Sequence, residues 1–166
     1  MVDRQGQDLH DHTWHDKQDK FSETTRGILG CCFEIINTLG SGFAESVYHN
    51  ALVIALTDSG LEVSSERGFE VHFRGRKIGI FVPDLVVAKQ VVVELKSCEY
   101  LTGEHQAQLI NYLAVTNLSV GLLVNFGKRK LEYRRAYHPA YHATCDHANP
   151  VPSRKQELVA TTEKSC

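Results

Sequence analysis

The segment Val82-Pro83-Asp84-Leu85-Val86-Val87, followed three residues later by Val91-Val92-Val93-Glu94-Leu95-Lys96, constrains this chain more than any other. Both halves are short runs rich in β-branched residues, and Ala88-Lys89-Gln90 between them allows only a tight reversal. The pattern predicts a β-hairpin with a three-residue loop. In that register Val87 stands opposite Val91, and counting back along both strands places Asp84 opposite Glu94. Directly opposed residues share a face, with Cβ atoms roughly 5 Å apart. Side chains alternate with a period of two, so Lys96 joins Glu94 on that face and Leu95 points away. Two carboxylates and an ammonium therefore converge at one end of an otherwise apolar hairpin. Carboxylates that close raise one pKa unless a cation stands between them, and a hard divalent ion with oxygen ligands is the natural candidate.

The chain has 166 residues, 42% of them hydrophobic, enough for one domain with a sizeable core. No apolar run approaches membrane-span length, and the first twenty residues lack an apolar signal segment, so the expectation is a cytoplasmic protein with no membrane partner. The five cysteines are odd in number, and Cys31 and Cys32 are neighbours on a predicted helix, which favours reduced thiols over a disulfide framework. Up to Lys20, the acids Asp3, Asp8, Asp11, Asp16 and Asp19 face only Arg4, Lys17 and Lys20, a balance equal to the whole chain's net charge of −2. Such a profile excludes a protein that holds nucleic acid by overall charge alone. Basic groups do cluster locally, at Arg74, Arg76 and Lys77 and again at Lys128, Arg129, Lys130, Arg134 and Arg135. Clusters of this kind are usually solvated turns and strand ends.

Residues 1–20, with His10, His12 and His15, read as a disordered acidic, His-rich tail rather than a metal site. Ser22 is placed to cap a first helix with Ile28, Leu29, Cys32, Phe33, Ile36 and Leu39 at helical spacing, ended by Gly40-Ser41-Gly42. A second helix is predicted from about Phe43 to Ser59, with Phe43, Val47, Ala51, Leu52 and Ala55 as its buried stripe and Glu45 and Tyr48 one turn apart. Leu61 to Glu66, Phe69 to Phe73 and Ile78 to Val82 read as strands, with Pro83 marking a bend before Asp84. Thr102 can cap a helix from about Gly103 to Thr116, with Leu109, Ile110, Leu113 and Ala114 on its apolar side. His105, Gln108 and Tyr112 share another face of it, and the lack of Lys or Glu there suggests the lining of a cleft. Val120 to Phe126 is a buried strand, parallel to a neighbour because a helix precedes it, and Leu131, Tyr133 and Tyr137 mark a final edge strand. From His138 onward periodicity is lost. His138, His142, Cys145 and His147 fit no established zinc pattern, and residues 139–166 read as a flexible tail. The domain is thus expected over residues 21–138.

The fold class expected is α/β: helices flanking a central mixed sheet, with Asp84, Glu94 and Lys96 at its mouth. Pro83-Asp84 followed by Glu94-Leu95-Lys96 resembles the PD-(D/E)xK signature of the restriction-endonuclease-like nucleases, whose αβββαβ core has this element order. More narrowly, Gly42, Glu45 and Tyr48 within Leu39-Gly40-Ser41-Gly42-Phe43-Ala44-Glu45-Ser46-Val47-Tyr48 resemble the motif of the GxxExxY proteins. His105, Gln108 and Tyr112 resemble the H-x-x-Q-x-x-x-Y stretch of those proteins, and Leu122 to Gly127 a strand of the same character. The resemblance runs from about Thr24 to Tyr137.

That resemblance implies a nuclease hydrolysing phosphodiester bonds, of DNA rather than RNA, in repair, recombination or defence. Asp84, Glu94 and the Leu95 backbone carbonyl would hold Mg²⁺, with Mn²⁺ as a substitute. Lys96 would orient or deprotonate the attacking water and stabilise developing charge. Glu45 would act as a further acid at the metal or on a water bound to it, and Gln108 would sit beside Lys96. His105, Tyr112, Tyr48 and Gly42 would support the site, and a protein partner or a second copy of the chain could help deliver substrate. The alternative is a catalytically silent nucleic-acid-binding or protein-interaction module that kept the fold. Three ionisable groups on one face of apolar strands are costly to bury without function, which favours the enzyme.

Overall fold

A computed structural model of the chain describes residues 12–138 and 140, with side chains from residue 23 onward. The central hairpin has the register its valines dictate. Strands β4 (Leu85–Val87) and β5 (Val91–Lys96) pair antiparallel, Leu85 opposite Val93 and Val87 opposite Val91. The Gln90 N–H donates to the Val87 carbonyl at 3.0 Å across the turn. Ala88 and Lys89 both take positive φ, 52° and 55°, the turn hand that matches strand twist but that non-glycine residues adopt at a cost. Anchors on Glu62 offset that cost: its carbonyl accepts from the Ala88 N–H at 2.7 Å, and its carboxylate meets Lys89 at 2.9 Å.

Two helices cover one face of this hairpin. Helix α1 runs from His12 to Leu39, so Ser22 lies inside it and not at its start, and the helix reaches back into the stretch expected to be a disordered tail. The rest of the two tails, and with them His142, Cys145 and His147, lie outside the described residues. Helix α1 buries Ile28, Cys31, Cys32, Ile35 and Ile36, whereas Phe33 and Leu39 are exposed. Burial pushes the Cys32 thiol up to about 12, which keeps it protonated and inert. Helix α2 (Glu45–Asp58) buries Tyr48, Leu52 and Leu56. The expected stripe was therefore rotated: Phe43 precedes the helix and is exposed, as is Val47.

A five-stranded sheet, ordered β1-β4-β5-β6-β7, carries the core. Here β1 is Val63–Ser65, β6 Val120–Asn125 and β7 Glu132–Tyr137. Only β5 and β6 pair in parallel, bridged by helix α3 (Gly103–Thr116); the other pairs are antiparallel. Strands β2 (Phe69–Phe73) and β3 (Arg76–Phe81) form a separate two-stranded sheet. The single sheet expected from the sequence is corrected on this point, because β1 already occupies the free edge of β4. Alternate residues of β5 serve two cores. Val91, Val93 and Leu95 pack with α1 and α2, and Val92 packs beneath α3 with Leu109, Tyr112 and Leu113. Glu94 and Lys96 continue the α3-facing series of Val92 to the carboxyl end of the strand.

The chain just past Lys96 is clasped by β6. The buried Asn125 accepts through Oδ1 from the Cys98 and Gly127 N–H groups, both at 3.0 Å. Its Nδ2 donates to the Cys98 carbonyl at 2.9 Å and to Glu132 Oε2 at 3.3 Å. Gly127 lies so close to this turn that an added Cβ would stand 2.1 Å from the Cys98 carbonyl oxygen. Gly127→Ala should therefore lower stability by about 3 kcal/mol, since the obstacle is backbone that cannot swing aside. A denaturant melt checks this; an unchanged midpoint would mean that the turn after Lys96 is free to move.

Candidate functional site

Glu94 sits on the central strand of an apolar sheet and is only 2% exposed. Its Oε1 accepts from Lys96 Nζ at 2.8 Å, while Oε2 is buried with no hydrogen-bond partner among the described residues. A buried carboxylate oxygen without a donor is destabilising unless something positive occupies its lone pairs. Burial lifts the Glu94 pKa to about 7; the Lys96 hydrogen bond opposes this, and the charges of Asp84 and Glu45 add to it. For Lys96, burial works against the charged form, but the hydrogen bond and charge of Glu94, with Glu45 and Asp84 behind, outweigh it and raise the pKa. Lys96 thus keeps its proton at neutral pH.

Asp84 immediately precedes Leu85, the first paired residue of β4. Its Oδ2 accepts from the Leu95 N–H at 2.7 Å. The Phe126 N–H donates to the Lys96 carbonyl, so the peptide groups of Lys96 face β6 and those of Leu95 face the β4 side. Ahead of β4, Asp84 supplies the missing ladder acceptor, and the Leu95 carbonyl points to the same edge. Asp84, Glu94 and Lys96 are therefore brought together as the hairpin register requires.

Helix α2 reaches the cluster from the opposite face of the sheet. Ser97 Oγ donates to the Phe43 carbonyl at 2.8 Å and ties the lead-in of the helix to the end of β5. Glu45, in the first turn, is exposed; it lines a groove of about 450 Å³ with Phe43, Ser97, Cys98, Glu99 and Gly127. Its charge is felt by Glu94 and Lys96. Even so, among the described residues no three carboxylate, His or Cys side chains stand close enough to form one metal-binding group. Tyr48 and Gly42 act on the backbone. The buried Tyr48 hydroxyl donates to the Gly40 carbonyl at 2.8 Å and accepts from the Phe43 N–H at 3.2 Å, and its ring stacks on Phe126 at 4.6 Å. Gly40 and Gly42 take positive φ, 75° and 110°. Together they set the loop that launches Glu45.

The polar stripe of α3 is largely committed to structure. The Thr102 N–H donates to His105 Nδ1 at 3.2 Å, and the His105 N–H donates to Thr102 Oγ1 at 3.4 Å, a reciprocal helix cap. Gln108 Nε2 donates to the Tyr112 hydroxyl at 3.1 Å, and Tyr112 packs edge-on against Phe81. Gln108 therefore has Tyr112, and not Lys96, as its hydrogen-bond partner among the described residues, with its Oε1 left to offer. His49 went unmarked in the sequence: its Nε2 contacts the Asp84 carbonyl at 3.4 Å and Ser65 Oγ at 3.2 Å. Its position four residues after Glu45, on the same helix face, was the available signal.

Residues 22–136 match the family model of the PD-(D/E)XK nuclease superfamily, and the chain belongs to that superfamily. Among solved structures it is similar to the crystal structure of SSO0001, with 23% identity and a TM-score of 0.47 over 60% of this chain. It is also similar to an alkaline exonuclease, LHK-Exo, from Laribacter hongkongensis, with 13% identity and a TM-score of 0.44 over 60% of this chain. The alignments span 52% and 58% of those two chains. No curated protein matches significantly. Among the described residues no helix is long and apolar enough to cross a membrane.

The raised Glu94 pKa has a definite sign. The folded state holds this proton more tightly than the unfolded chain, so its contribution to stability is full below pH ~4.5 and is lost as pH rises to about 7. The loss is on the order of 3 kcal/mol. In metal-free buffer the melting temperature should fall between pH 5 and pH 7.5, and Glu94→Gln should flatten that slope; equal slopes in both proteins would contradict the assignment. Asp84→Ala strands the Leu95 N–H and should lower stability by about 1–3 kcal/mol. Asp84→Asn keeps an acceptor and should melt closer to wild type, which thermal denaturation of the pair measures.

Proposed function

We propose that this protein is a divalent-metal-dependent nuclease, with Mg²⁺ as the metal and Mn²⁺ as a substitute, and that it belongs to the GxxExxY group within its superfamily. The observation that carries this reading is the buried Glu94, one oxygen held by Lys96 and the other without a hydrogen-bond partner among the described residues, with the charge of Asp84 acting on it from the start of the adjacent strand. The donors are all hard oxygens of the kind that suit Mg²⁺. Glu94 Oε2, the Asp84 carboxylate and the Leu95 carbonyl would hold the ion, and Glu45 would act only through water. When bound, the metal supplies Lewis-acid stabilisation of a phosphate and acidifies a water.

The remaining roles fall to the chain itself. Lys96, protonated and held by Glu94 Oε1, would orient the attacking water and stabilise charge on the phosphate rather than take a proton. Tyr48 and the Asn125 clasp would fix the two loops that flank the reacting group, which is how orientation becomes rate. A nucleic-acid substrate follows from the superfamily; DNA rather than RNA rests on the family resemblance of the motifs.

Cleavage of supercoiled, nicked, branched and single-stranded DNA, with Mg²⁺ or Mn²⁺, tests the proposal. Wild type should cut at least one substrate only with metal, and Lys96→Ala should reduce the single-turnover rate by about 100-fold or more while the protein stays folded. Absence of cleavage under all these conditions, or a Lys96→Ala variant at wild-type rate, would replace the enzyme with a silent binding module.

A further inference from the structure

Two loops leave the groove beside the cluster, and each places a residue just outside it. From the loop after β5, Ser97, Cys98 and Glu99 line the groove and Tyr100 follows; from the turn after β6, Gly127 lines it and Lys128 follows. These two outer residues meet. Lys128 Nζ stands 3.6 Å from the centroid of the Tyr100 ring, while Tyr100 remains 62% exposed. The ammonium favours one face of the ring, and most of the ring's surface stays accessible. Lys128 continues into Arg129 and Lys130, and none of the three makes an ion pair among the described residues.

The backbone under the ring is hydrogen-bonded on both sides. Cys98 is clasped by Asn125, and its Sγ donates to the Tyr100 carbonyl at 3.2 Å. On the far side Leu101 is buried, and its carbonyl accepts from Arg134 at 3.2 Å. An exposed aromatic on a tethered loop, with Lys128 against its ring and Arg129 and Lys130 next in the chain, has the composition of a single-strand binding platform: a ring for a base and ammonium and guanidinium groups for its phosphates. A base paired inside a duplex shows no free face to such a ring.

We propose that Tyr100, backed by Lys128, is a nucleobase-stacking platform at the rim of the groove, and that the substrate presents an unpaired nucleotide there. The proposal rests on the nuclease reading above and adds the class of substrate, single strands or duplexes with single-stranded ends or flaps.

The test is binding without metal, read by fluorescence anisotropy with a labelled single-stranded DNA, the same strand as a blunt duplex, and a duplex with a single-stranded overhang. Tyr100→Ala should weaken binding to the single strand and the overhang by about 5- to 100-fold and change the blunt duplex less than about twofold, while the melting temperature stays at the wild-type value. Tyr100→Trp should restore the affinity, and Lys128→Ala should reduce the dependence of log K on log salt by about one unit. A Tyr100→Ala variant that binds all three DNAs as wild type does, or weakens equally on all three, overturns the platform. If wild type cuts DNA and Tyr100→Ala makes no difference to binding, the platform alone falls. If wild type neither binds nor cuts any nucleic acid, the nuclease reading falls with it.

Discussion

The architecture at the working end of this molecule depends on one buried carboxylate. Glu94 lies on the middle strand of a five-stranded sheet, where its neighbours along β5 are apolar. A lone charge there would be expelled or neutralised. It is retained by the ammonium of Lys96 on one oxygen, while the second oxygen has no hydrogen-bond partner among the described residues. Replacing such a pair by apolar residues is often neutral or stabilising, so its presence is weak evidence for stability and better evidence for function.

The scaffold around it consists of devices that hold short pieces of backbone still. Asp84 is the acceptor that extends the ladder just ahead of β4. Tyr48 ties down the glycine loop before α2, His105 caps α3, and Asn125 holds the turn after Lys96. Motif residues that look catalytic in a linear pattern thus divide into two kinds. Glu94 and Lys96 form an ion pair within reach of the Asp84 charge, whereas Gly42, Tyr48 and His105 shape the surrounding backbone. A substitution at the second kind would reach activity through geometry, where a misplacement of about 1 Å can cost about 100-fold.

Legibility in the sequence followed the reach of local rules. The hairpin register could be read because period-two alternation and a three-residue loop leave one solution. Helix α3 was bounded by Thr102 and Asn117 as its capping residues suggest, and β6 by its apolar run. Errors arose where tertiary competition decides. Whether β2 and β3 join the main sheet depends on which strand takes the edge of β4, a contest that β1 wins. The rotation of α2 that buries Tyr48 and exposes Val47 reflects stacking on Phe126, 78 residues away in sequence. The Asn125 clasp was invisible because an asparagine at a strand end ordinarily reads as a turn former.

The central claim is that Glu94 and Asp84 are arranged for a cation. Calorimetric titration of Mg²⁺ into the metal-free protein tests it most directly, with Mn²⁺ as a second titrant. One saturable site per chain is expected, which disappears in Glu94→Gln, survives in Lys96→Ala, where a competing ammonium has been removed, and is untouched in Tyr100→Ala. Metal heats that are absent in wild type, or identical in wild type and Glu94→Gln, would contradict it.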